Sequence, residues 1–252
     1  KIENAEAAGL HMDRIKVETI TKTIAPKMSG QANLLLEGLQ SSSAGGYENA
    51  GDITPDVWRM GYGETRVFEE RPEDAGRVIV SVDCSSSMEC TNHEKQGRLT
   101  NGLLAMQAAT AITQGIDAEV HGWTGSCDGT VIYEWDAGRV PKCHCHFRDA
   151  QLYQHGTPTC GALEYMGEKL AGDIDGALGI IITDGAPNDL RCTALNSRRL
   201  TEAGMRFVVV IVDAGGYLNE ANAGTYFADV FPDAPMAVLH NLDDLAGLGQ
   251  LI

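Results

Sequence analysis

The sequence predicts an α/β sandwich: a mainly parallel central sheet with one antiparallel hairpin at its edge and helices on both faces. Three observations predict it. Short apolar or β-branched runs recur at residues 78–82, 118–123, 130–135, 178–183, 207–212 and 238–239. Stretches with apolar residues at helical spacing, or of helical composition, fall between several of them. Strand and helix signals in alternation are the signature of parallel strands joined by helical crossovers. The runs at 118–123 and 130–135 are too close for a crossover, so that pair is antiparallel.

Taken in order, Val78-Ile79-Val80-Ser81-Val82 is a buried strand, too short and too β-branched for a helix. Leu99, Leu103 and Met106 then recur at helical spacing towards Ile112. The two runs of the hairpin follow, with Gly-containing turns between them. Leu163, Met166 and Leu170 mark an amphipathic helix, residues 178–183 a strand, residues 188–202 a helix and residues 207–212 another strand. Val238-Leu239 and a terminal helix over 242–251 close the chain.

The first 76 residues read differently. A helical start over 12–23, a short Leu34-Leu35-Leu36…Leu39 segment and the Ser41–Gly46 Ser/Gly break precede a Trp58, Tyr62, Val67, Phe68 group. This stretch has too little apolar material to stand alone, so residues 1–76 are expected to be an appendage packed on a domain spanning 77–252.

The bulk numbers exclude some functions. The chain has 252 residues, 19 Lys+Arg against 35 Asp+Glu, and a formal net charge of -16. That balance argues against a nucleic-acid surface, which needs clustered cations. No window approaches the ~20 apolar residues that cross a bilayer, and no membrane partner is expected. Seven cysteines, an odd number in a chain of this size, favour free thiols in a reducing compartment, and a cytoplasmic location is expected.

Ligands of doubly wound sheets sit at the carboxyl ends of strands. Here the first of those ends runs into Asp83-Cys84-Ser85-Ser86-Ser87, and a later one into Thr183-Asp184-Gly185. The loop His155-Gly156-Thr157-Pro158-Thr159 lies between them. Carboxylates and hydroxyls converging on one edge make a hard-oxygen site suited to Mg²⁺, with Ca²⁺ or Mn²⁺ as alternatives. The competing reading is that Ser85 and Ser87 cap a helix and Asp184-Gly185 is a plain turn.

The Asp83-x-Ser85-x-Ser87 spacing resembles the metal-ion-dependent adhesion site of von Willebrand factor A domains. Gly156-Thr157-Pro158-Thr159 resembles that family's threonine loop and Thr183-Asp184-Gly185 its distal aspartate, over residues 77–252. The resemblance implies a Rossmann-like sandwich. It implies that Ser85 and Ser87 ligate a metal through their hydroxyls and that Thr157 ligates directly or through water. Asp83 and Asp184 would act mostly through bound waters, and a partner's carboxylate would complete the shell. Thr159 reads either as a helix cap or as a support behind the ligands.

Val67-Phe68-Glu69-Glu70-Arg71 and Asp184-Gly185-Ala186-Pro187-Asn188-Asp189 are similar to the carboxy-terminal region of CobT-type cobaltochelatase subunits. Those subunits, and related A-domain proteins, work with AAA+ ATPases of the CobS or MoxR type. Cys84 and Ser86 stand where CobT-type sequences usually carry Asn and Gly. The expectation is a non-catalytic interaction module that grips a protein partner, an AAA+ ATPase, through its metal. The alternatives are a chelatase subunit acting on a tetrapyrrole and an extracellular adhesive domain. No Gly-x-Ser-x-Gly elbow and no phosphate-binding Gly-x-x-x-x-Gly-Lys loop occurs, so any ATPase is a separate chain.

Cys143-His144-Cys145-His146, with His155 beyond, raises a second possibility. Cys143, Cys145, His146 and His155 are candidate Zn²⁺ ligands, although the spacing is too tight for four adjacent residues to reach one tetrahedral ion. Loop residues without a metal are the favoured reading. Cys84 is expected as a small buried hydrophobe and His121 as a hydrogen-bonded imidazole in a strand.

Overall fold

Alternation along the strands divides the core in two. In the computed structural model, which describes residues 2–4, 52–53, 68–69, 77–88, 101–113, 118–126, 129–135, 156–218, 227–245 and 248, the central strand is β4 (Val78–Asp83). Its Val78, Val80 and Val82 enter one apolar cluster, and Ile79 enters the other. In β7 (Leu178–Thr183), Leu178, Ile180 and Ile182 take the first side and Ile181 the second. In β8 (Arg206–Val212) the division is Val208, Val210, Val212 against Phe207, Val209, Ile211. Side chains alternate across a strand, so runs apolar at every position need cover on both faces.

Helices supply that cover. Helix α1 (Asn101–Ile112) lies in the first cluster and is buried almost all round, which its Ala105, Ala108, Ala109 and Ala111 permit. On the opposite face, α2 (Thr159–Lys169) contributes Leu163 and Met166, and α3 (Leu190–Glu202) contributes Leu200. Helix α3 starts at Asp189, whose carboxylate accepts the backbone N–H of Cys192 at 2.9 Å.

The remaining strands are β1 (Ile2–Asn4), β5 (Ala118–Ser126), β6 (Gly129–Trp135) and β9 (Met236–Leu239), and the sheet order is β1-β6-β5-β4-β7-β8-β9. β4 pairs in parallel with β5 and β7, β7 with β8, and β8 with β9, while β5 and β6 form the antiparallel hairpin. This is the Rossmann-like α/β sandwich expected from the sequence, mainly parallel with one antiparallel hairpin. A three-residue strand, β1, adds in parallel outside β6 and shields that side of the hairpin. A separate antiparallel pair joins β2 (Asp52–Ile53) to β3 (Phe68–Glu69). The helices expected over 12–23 and 34–39, the break at 41–46 and the residues Trp58, Tyr62 and Val67 lie outside the described residues.

The terminal helix expected over 242–251 differs. Its described residues form turns and short 3-10 pieces. The Asp244 carboxylate accepts the backbone N–H groups of His240 and Asn241, and the Asn241 side chain accepts that of Asp243. Such local bonds compete with the helical ladder, while Leu245 and Leu248 are buried without it. Among the described residues no helix is long and apolar enough to cross a membrane.

Candidate metal centre

Strand order rises in opposite directions from β4 and β7, so their carboxyl ends flank the topological switch point, where such sheets bind ligands. Asp83 is the last residue of β4 and Asp184 follows β7 directly. Asp83 is fully buried, Ser85 nearly so, Asp184 and Thr157 half-buried, and Ser87 exposed. The site is therefore a floor of buried carboxylate with an open rim.

Hydrogen bonds join four of the expected residues. The Ser85 and Ser87 hydroxyl oxygens lie 3.0 Å apart, and Ser87 donates to Asp184 Oδ1 at 2.8 Å. Asp83 Oδ1 accepts the Ser85 backbone N–H at 2.7 Å, and Asp83 Oδ2 accepts the Thr183 hydroxyl at 2.6 Å. The segment Ser86–Met88 turns as a single 3-10 unit, and the contact between the two hydroxyls puts Ser85 and Ser87 on the same side of the loop.

Thr157 is tied to the loop of Asp184 rather than to its carboxylate. The Asn188 side chain accepts the Thr157 N–H at 3.0 Å, and the Asn188 N–H donates to the Thr157 carbonyl at 2.9 Å. Among the described residues no hydrogen bond joins the Thr157 hydroxyl to the other four. The preceding Gly156 bridges to Gly125 of β5, and a Cβ there would run into the Asn188 amide and the Gly125 carbonyl. Only glycine fits that approach. Thr159 opens α2, and its hydroxyl donates to the Thr157 carbonyl at 3.4 Å, while the cap position is Pro158, with no side-chain cap bond. Its part is to brace the threonine loop.

The electrostatics fit a cation. Burial first, then the Asp184 charge, pushes the Asp83 carboxyl up to about 7, against hydrogen bonds from Thr183 and Ser85 that pull it down. Burial likewise raises Asp184, opposed by bonds from Asn101 and Ser87. Among the described residues, no cationic side chain acts on either carboxylate. These two carboxylates and hydroxyls form an all-oxygen donor set, which suits a hard divalent ion. The residues present fit Mg²⁺, Ca²⁺ or Mn²⁺.

Three supporting residues were not singled out from the sequence. Asn101, at the start of α1, donates to Asp184 Oδ2 at 2.8 Å and accepts the Ala214 N–H at 2.8 Å. Asn188 holds the threonine loop as described. Asp213 follows β8 directly, is 6% exposed, and adds repulsion to Asp184. His240 Nδ1 lies 3.6 Å from Asp213 Oδ2. An acid immediately after a buried strand is the signal that marked Asp83 and Asp184, and the same rule finds Asp213. Nothing comparable marks Asn101 and Asn188, whose partners are remote in sequence.

Away from the centre, Cys84 is fully buried, and burial pushes its thiol well above the usual range. His121 Nε2 lies 2.8 Å from the Ser81 hydroxyl, and burial lowers the imidazole to about 3, so it is neutral. Cys160 and Cys192 form a disulfide between α2 and α3, where free thiols were expected. Cys143, Cys145, His146 and His155 lie outside the described residues.

No family model matches the chain, and no curated protein matches it. Solved structures do. Proximal thread matrix protein 1 from the mussel byssus is similar at 13% identity and TM-score 0.45, over 70% of this chain and 46% of that one. Manganese-loaded TRAP protein of Plasmodium vivax is similar at 15% and 0.43, over 69% and 71%. BatB from Bacteroides thetaiotaomicron is similar at 16% and 0.43, over 69% and 96%. The chain spans about half the length of the mussel protein. Likenesses this distant leave the case for the site with its own geometry.

Proposed function

We propose that this chain is a non-catalytic, metal-dependent protein-interaction module in which Asp83, Ser85, Ser87, Thr157 and Asp184 hold Mg²⁺ and a partner's carboxylate completes its shell. One observation carries the reading: two carboxylates, one fully buried, meet two serine hydroxyls at the switch point, and among the described residues no cation acts on either carboxylate. The bound ion supplies a Lewis-acid position for an oxygen ligand. The chain's own residues do the rest. Ser85 and Ser87 offer neutral oxygens, so the ion keeps charge to share with an external acid. Thr183 and the Ser85 N–H fix the Asp83 carboxylate, while Asn101 fixes Asp184. Exposed Ser87 lies on the side from which a partner arrives.

The partner proposed is an AAA+ ATPase of the MoxR or CobS type in the cytoplasm, a reading supported by the CobT-like segments around Phe68 and Asp184. A second reading, an extracellular adhesive domain, is favoured by the Cys160–Cys192 disulfide, a bond of oxidising compartments. Affinity capture from source cells, with Mg²⁺ and again with a chelator, separates them. An ATPase recovered only with Mg²⁺ supports the first reading and justifies assays of metal insertion into a tetrapyrrole. A surface or matrix protein recovered only with Mg²⁺ supports the second. Partners recovered equally with the chelator overturn the metal-bridged mechanism.

A further inference from the structure

The disulfide sits in a cluster that the oxygen site does not use. Cys160 and Glu164 are four residues apart on α2, and Cys192 and Asn196 are four apart on α3. That spacing puts each pair on one helix face, and the two faces meet. The Cys160 sulfur, the Cys192 sulfur and a Glu164 carboxylate oxygen all lie within 4.8 Å of one another. Asn196 Nδ2 approaches Cys160 Sγ at 3.1 Å and donates to Glu164 Oε1 at 3.2 Å, fixing both. Both cysteines are half-buried and Glu164 is exposed, so the cluster is open to solvent.

We propose that Cys160, Cys192 and Glu164 form a second metal site, for a thiophilic divalent cation such as Zn²⁺, available when the sulfur pair is reduced. Two thiolates and a carboxylate are ligands that zinc accepts, with water in the fourth position. Both cysteines lie in the first turn of a helix, where the helix dipole favours thiolate over thiol. The Cα atoms are 5.6 Å apart, so side-chain rotation alone can open the sulfurs to the roughly 3.8 Å spacing that tetrahedral Zn–S bonds require. Opening consumes two electrons. Two molecules of a thiol reductant give up their S–H protons and become a disulfide, while the Cys160–Cys192 bond breaks into two thiols. The incoming cation then displaces those two protons. The disulfide and the metal are alternative closures of the same pair.

The test uses the full chain carrying Cys143→Ser and Cys145→Ser, reduced with dithiothreitol, transferred to anaerobic buffer and titrated with Co²⁺ as a spectroscopic probe. Expected is a thiolate-to-cobalt charge-transfer band saturating at one ion per chain and displaced by Zn²⁺. The band should be absent from the oxidised protein and from Cys160→Ser and Cys192→Ser. Glu164→Gln should bind at least about 10-fold more weakly. Asp83→Ala should keep the band, because an oxygen site gives no sulfur charge transfer; this result does not depend on the proposed function. Circular dichroism confirms that each variant is folded. No band in protein whose thiols titrate as free would overturn the proposal, as would a band that survives Cys160→Ser.

Discussion

Asp83 is held by two donors and repelled by one neighbour, and the balance gives it a distinctive pH signature. Its carboxyl stands at about 7 in the folded, metal-free chain, against an ordinary value of 3.8. A raised carboxyl binds its proton more tightly when folded, so between those values the folded state holds a proton that the unfolded chain has released. Metal-free stability should therefore fall as pH rises from about 4 to about 7, on a scale of about 1.4 kcal/mol per pH unit. Denaturant unfolding in chelator across that window checks the sign; stability rising with pH there would remove the buried-charge account. Asp83→Asn should lose Mg²⁺ affinity by about 10–100-fold. In chelator at pH 7.5 it should be as stable as the parent or more so, because it deletes an uncompensated charge. Isothermal titration and a melt of the same preparation decide both parts, and a large loss of stability would instead make the carboxylate a structural keystone.

Two elements, α2 and α3, position the threonine loop and the aspartate loop, and both are fastened at their amino-terminal ends. Asp189→Ala removes the α3 cap and should cost about 1 kcal/mol, read as a shift in the urea midpoint at constant slope. The Cys160–Cys192 bond closes a separation of 32 residues. Its removal by Cys160→Ala/Cys192→Ala should lower stability by about 3–4 kcal/mol in oxidised protein. With dithiothreitol and chelator the difference should shrink towards the loss of packing alone; an equal deficit in both buffers would show that the pair contributes no crosslink. These elements differ in how far the sequence reveals them. Strands β4, β7 and β8 are legible because burial on both faces demands unbroken apolar runs, and the Asp-x-Ser-x-Ser loop is legible because it follows the first of them. The disulfide is not legible, since its halves sit on helices whose mutual placement depends on the whole sheet. Over the described residues 241–245 the expected terminal helix gives way to turns, because Asp244 and Asn241 satisfy the local backbone there, which hydrophobic spacing alone does not disclose. Strand β1 escaped notice because a three-residue edge strand carries too short a pattern to stand out.

At the scale of the molecule, the oxygen site draws its residues from neighbouring elements at one edge of the sheet. Asp83 ends the central strand, Asp184 leaves its neighbour, and Asn101 links Asp184 to the loop after β8. An ion that binds only this assembled geometry stabilises the whole fold by mass action, not one loop. With free Mg²⁺ at about 100 times its dissociation constant the gain is about 2.7 kcal/mol. For a chain of this size each kcal/mol moves the melting temperature by about 2–4 °C, so Mg²⁺ should raise Tm by about 5–10 °C over chelator. The rise should be largest above pH 7, where Asp83 has shed its proton and the apo protein bears the full repulsion. It should shrink towards pH 5, where the ion must displace a proton to bind. Differential scanning fluorimetry at pH 5, 6, 7 and 8, with Mg²⁺, Mn²⁺, Ca²⁺ or chelator, reads the whole surface. Asp184→Asn should flatten it, since that change removes the second carboxylate while leaving the sheet intact. A pH-independent rise, or an equal rise in Asp184→Asn, would place the ion elsewhere on this acidic chain, whose net charge of -16 offers many weak sites that salt would screen.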